Sequence, residues 1–196
     1  MTPARSHVTR VLHLALLLIV LHQLGTSLFM ERPLPGDDQE APMLAHQWIG
    51  SAGLVVVLLF WLWTLVRHAS ETGLSALVPW FSRRRLAALA DDARAVVAAL
   101  AERRRPPTLD AIPSAVHGLG LLTATALAAS GFAWGWVFEG TAMGGALLTA
   151  HSALGNLMWA YLIAHAGMAV VHQFVDRDLF ARMFWFAPRR SPSAAE

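Results

Sequence analysis

Four long stretches of this chain are almost uninterrupted in apolar residues, near 11–30, 44–66, 112–137 and 144–174. Each is long enough, or nearly so, to cross a hydrocarbon core about 30 Å thick as a helix. Between the second and third stretches the pattern changes. Leu86, Leu89, Ala93, Val96, Val97 and Leu100 recur at helical spacing, with Arg84, Asp91 and Arg94 mostly on the other side. This predicts an amphipathic helix over about 84–104, ended by Pro106-Pro107 and suited to the surface of an anionic leaflet. The tail from about 187 to 196 reads as disordered. The expected fold is all-α: one integral membrane domain over 1–196, built as a four-helix bundle.

Charge adds an orientation. All fifteen basic residues are arginine, and fourteen of them fall in the N-terminal segment, the long second connection or the tail. The two remaining loops hold only Arg32, beside Glu31, Asp37, Asp38, Glu40 and Glu139. Basic residues stay on the cytoplasmic side, so both termini are expected there, with four crossings of a bacterial cytoplasmic (inner) membrane. The first stretch follows Arg5 and Arg10 as a signal peptide would, but it lacks a small-residue cleavage site and carries two histidines, so a retained helix is expected. At 56% hydrophobic and 14% charged, the chain is far from a soluble domain, where about a quarter of residues are charged. No nucleic-acid partner is expected. The chain has no cysteine, which excludes disulfides, thiolate-held iron–sulfur clusters and covalently attached c-type haem. Metal chemistry must then fall to the nine histidines.

The fourth stretch contains HSALGNLMWAYLIAHAGMAVVH. His151 and His165 lie fourteen residues apart, about 21 Å along a helix and within about 40° of one face. An imidazole inside a membrane span is costly and points to function. A non-covalent b haem held by two imidazoles needs one histidine on each of two facing helices at equal depth. With the orientation above, His46 and His151 both lie near the outer surface, and His13 and His165 near the inner one. The expected axial pairs are therefore His46 with His151 and His13 with His165. Gly50, Gly53 and Gly155 lie beside these ligands, where small residues admit a flat macrocycle or simply pack helices. His117 competes with His13 at the inner level, and His172 competes with His165 or meets a propionate or quinone head group. Arg10, one turn before His13, is either a propionate partner or a positive-inside anchor. His22 lies on the face opposite His13 and reads as structural, while His7 and His68 read as surface residues. The tryptophans read as interfacial belt or helix packing.

Arg10-Val-Leu-His13, His46-Gln-Trp-Ile-Gly50 and the His151/His165 spacing together resemble the bacterial cytochrome b561 family. That family is related to the b-type cytochrome subunits of membrane hydrogenases and formate dehydrogenases. The resemblance implies a four-helix bundle holding two non-covalent haem b groups through His13, His46, His151 and His165. It also implies electron passage between quinone and a protein or small-molecule redox partner. Family members often carry Trp after the first ligand, where this chain has Leu14, and an arginine in the second helix, where it has LLFWLW.

Two other function classes fit the sequence less well. A histidine-lined metal or proton transporter would need carboxylates in the spans, which contain essentially none. A non-catalytic membrane anchor of a redox complex leaves so many histidines near the spans without a role. The favoured expectation is an electron carrier, whose status as an enzyme depends on whether it oxidises quinol itself. The sequence is compatible with a homodimer.

Overall fold

A computed structural model describes residues 6–30, 40–67, 73–104 and 109–175. The secondary structure of these residues is entirely helical. Helix α1 spans His7–Thr26, α2 Ala41–Val66, α3 Leu74–Leu77, α4 Arg83–Ala101, α5 Ala111–Trp136 and α6 Ala142–Val175, with a 3₁₀ turn at Pro79–Phe81. Helices α1, α2, α5 and α6 are long and apolar enough to cross a membrane. The chain is thus an all-α, multi-pass membrane protein. Their outward surface suits lipid: Leu18, Val55, Leu58, Leu62 and Ile163 are all exposed.

The first span lies about four residues earlier than its hydropathy suggested. Its start is set by Ser6, whose hydroxyl accepts from the Thr9 amide at 3.2 Å, and it turns off at Ser27. The amphipathic helix stops at Ala101, short of the prolines. Arg103 adopts φ 51°, and the Arg104 and Arg103 amides donate back to the Ala99 and Leu100 carbonyls. This left-handed stop closes the last turn before any proline is needed. The disordered-tail expectation falls outside the described residues.

The spans run up and down in alternation, as their cross-links show. Trp63, late in α2, donates to Thr9, early in α1, at 2.9 Å. At the other end, Gln23 of α1 donates to the His46 carbonyl of α2, also at 2.9 Å. Gln47 of α2 donates to the Gly135 carbonyl of α5, and the indole of Trp61 to Thr125. Each bond satisfies a polar group that lipid would leave stranded. Three of the tryptophans, Trp61, Trp63 and Trp136, thus act as inter-helix donors. Leu24, Val57, Leu121, Ala124 and Met158 form a buried core contributed by all four spans.

The second connection is more than one helix. Leu77 of α3 is buried, and its carbonyl oxygen would lie 1.7 Å from a Cβ on Gly118 of α5. Only glycine admits that approach. Asp92 of α4 reaches α5 as well: one carboxylate oxygen accepts from the amides of Ala111 and Ile112, at 2.9 and 3.0 Å. A carboxylate there satisfies two orphan donors and opposes the positive end of the helix dipole. Asp92→Ala is expected to loosen the start of α5 by about 1 kcal/mol, the usual worth of a cap. Hydrogen exchange at Ala111 and Ile112 should quicken by about fivefold, with Asp92→Asn between the two. Unchanged exchange would show that the contact does not hold the helix.

Candidate functional site

The helix directions sort the histidines by depth. His46 begins α2 and His151 lies early in α6, both at the end of the bundle away from the arginine-rich segments. His117 begins α5 and His165 lies late in α6, both at the arginine-rich end, where α1 also begins.

At the arginine-poor end, His46 and His151 face each other with ring centres 6.1 Å apart and planes at 79°. Both rings are held by Nδ1. The Thr26 hydroxyl lies 2.8 Å from the His22 carbonyl and 3.1 Å from that of Gln23, so its hydrogen is committed to backbone. Its oxygen therefore accepts from His46 Nδ1–H at 2.9 Å. His151 Nδ1 lies 3.0 Å from the Leu127 carbonyl, which can only accept, so this nitrogen too carries hydrogen. The Ser130 hydroxyl stands 3.1 Å from the same nitrogen. In both rings this leaves Nε2 with its lone pair, the form that ligates a metal. With metal–nitrogen bonds of about 2 Å, two imidazoles on one ion have ring centres about 6 Å apart.

A cavity of about 360 Å³ surrounds the pair, within the usual range of about 300–1,000 Å³ for small-molecule sites. All four spans line it, with Leu16, Val20, Val57, Leu127 and Met158 among the apolar walls. Gly50, Gly53 and Gly155 lie on its surface, and a Cβ on Gly155 would meet nothing within 4 Å. Paired imidazoles and an apolar slot that is open at Gly155 fit a planar macrocycle with an iron centre. Among the described residues no three His, Asp or Glu converge as a metal cage.

At the arginine-rich end, the His165 ring stacks on Tyr161 at 5.3 Å and 10°, and meets His117 edge-on at 5.1 Å. His117 Nδ1–H donates to the Pro113 carbonyl at 2.6 Å. Tyr161 fits because Gly120 has no side chain: a Cβ there would lie 2.2 Å from the tyrosine ring. His13 stands on α1 one turn past the buried Thr9. The Nε–H of Arg10 is buried without a hydrogen-bond partner. A buried cationic donor of this kind suits an anionic group such as a propionate.

His22 donates through Nδ1 to the side chain of Gln23, its neighbour on α1, at 3.2 Å. His7 is exposed at the head of α1. His68 and the side chain of His172 lie outside the described residues. The sequence reading did not single out Thr26, Ser130, Gln23 or Tyr161. Their roles depend on which faces of two helices meet, and no local motif records that.

A family model described as prokaryotic cytochrome b561 matches residues 4–186. No curated protein and no solved structure shows a significant match to the chain.

Proposed function

The chain belongs to the prokaryotic cytochrome b561 family and is a membrane b-type cytochrome of electron transfer, and from that premise we propose that it carries electrons through two haems. His46 and His151 hold the outer haem through Nε2. Thr26 and the Leu127 carbonyl fix the two ring orientations and tautomers. His165 anchors the inner haem with His13 as its partner, and His117 and His172 are the alternative ligands at that level. Arg10 neutralises an inner propionate. Bound haem b supplies reversible one-electron exchange at iron. The chain's own residues set the depth of each group, exclude water from it and hold its ligands.

The single domain spans the bacterial inner membrane with both termini cytoplasmic. Electrons pass between the quinone pool and a redox partner. The observation carrying this reading is the His46/His151 pair: ring centres 6.1 Å apart, both Nδ1 atoms already bonded, inside a cavity walled by four spans. The purified protein is expected to show a sharp α-band in a reduced-minus-oxidised spectrum, about two haems per chain, and reduction by a quinol. A ratio near one removes the inner site, and no α-band from haem-replete cells removes the whole reading.

A further inference from the structure

The connection between α2 and α5 packs further along α5 than its arginines suggest. Helix α5 has 26 residues, about 39 Å of rise, against about 30 Å of hydrocarbon. Centred, it leaves about 4–5 Å outside at each end. Gly118 is seven residues past the start of α5, about 10 Å along the axis, which on that placement is inside the hydrocarbon. Leu77 rests its backbone directly on Gly118, so α3 lies at that depth too. Next along the chain, Trp80 is 44% exposed and Phe81 is 91% exposed. Two large aromatic side chains left bare at this level face a lipid environment, where such rings are favoured.

The apolar stripe of α4 is covered along one edge and bare along the other. Asp92 and Ala99, with Leu89 and Val96 beside them, form its covered side. Leu86, Ala93, Val97 and Leu100 fall in the adjoining sector of about 60°, at about 100° per residue. Val97 is 66% exposed and Leu100 67%. Arg83 and Arg94, both exposed, border this sector on the side away from the bundle. Asp92 pins α4 to the first turn of α5, the level at which that span enters the membrane. A docking face for a soluble protein would point away from the bilayer. This stripe instead lies on a helix fixed to the membrane-entry turn of α5, and it is bordered by cations that suit headgroup phosphates.

We propose that residues 74–101 form a lipid-embedded elbow. In it α3 and the 3₁₀ turn dip into the leaflet beside α5, and α4 lies along the interface on Leu86, Ala93, Val97 and Leu100, with Arg83 and Arg94 among anionic headgroups. The inference is independent of haem number and ligand identity. The absence of native cysteine makes the test clean. Phe81→Cys, Val97→Cys and Leu100→Cys are compared in full-length protein in bilayer discs with Arg84→Cys as the water-facing reference and Leu62→Cys as the lipid reference. All are taken from fractions eluting as the parent protein does. A membrane-impermeant maleimide should label the three test sites about tenfold more slowly than position 84. Bimane attached there should be quenched by brominated lipid, as at position 62. The contrast should widen with phosphatidylglycerol over phosphatidylcholine, and Arg83→Gln with Arg94→Gln should remove that widening. Labelling at all three sites as fast as at position 84, without lipid quenching, overturns the proposal and leaves the face to a soluble partner.

Discussion

Replacing His151 with alanine is expected to remove one haem from each chain, halving the α-band and the haem measured per protein. Among the described residues His46 and His151 are the two histidines that line the cavity, and His165 is about 21 Å away along the α6 axis. His46→Ala should do the same, because His46 alone faces His151 across the slot. Removing both should cost no more than removing either, since one ligand left behind does not hold the group. Thr26→Val is the finer test. It keeps the ligand and deletes the acceptor of His46 Nδ1–H. Loss of such an outer partner weakens metal affinity by about 10–100-fold. Haem should therefore be retained at high haem supply and lost on dilution or competition, with a shifted midpoint potential. If His151→Ala retains both haems, the paired geometry is packing alone.

The membrane spans were legible because lipid imposes one rule along the whole of each helix, and hydropathy records it residue by residue. Their ends were less so. Ser6 and the left-handed Arg103 decide where helices start and stop, and each acts through a few backbone bonds that hydropathy does not register. The elbow at α3 was missed for a different reason. Its four-residue helix has no periodicity to detect, and it is held by a contact between Leu77 and Gly118, forty-one positions later in the chain. The His46/His151 pair was legible because topology alone sets depth. Thr26, Ser130 and Tyr161 required the rotation of each helix about its axis, which depends on packing between spans.

The arginine-rich end provides the second large effect and the sharper choice. His165→Ala is expected to remove the other haem and leave the outer one spectrally unchanged. His165 contacts Tyr161, stacked on its face, and His117, against its edge, while His13 stands on α1 at the same end of the bundle. The His117 ring centre is 5.1 Å away, closer than the about 6 Å of two imidazoles sharing one ion. Such a contact suits a group that packs against the ligand. His13→Ala should accordingly lose the inner haem, whereas His117→Ala should keep it with a shifted midpoint potential. Tyr161→Phe should match the parent, because it keeps the stacked ring, and Tyr161→Leu should shift the low-spin signal of the inner haem. These outcomes are read by haem content, redox titration and electron paramagnetic resonance on the same samples. Should His117→Ala lose a haem while His13→Ala keeps both, the inner iron belongs between α5 and α6. The two haems would then share that one helix pair, and α1 would serve only to close the bundle.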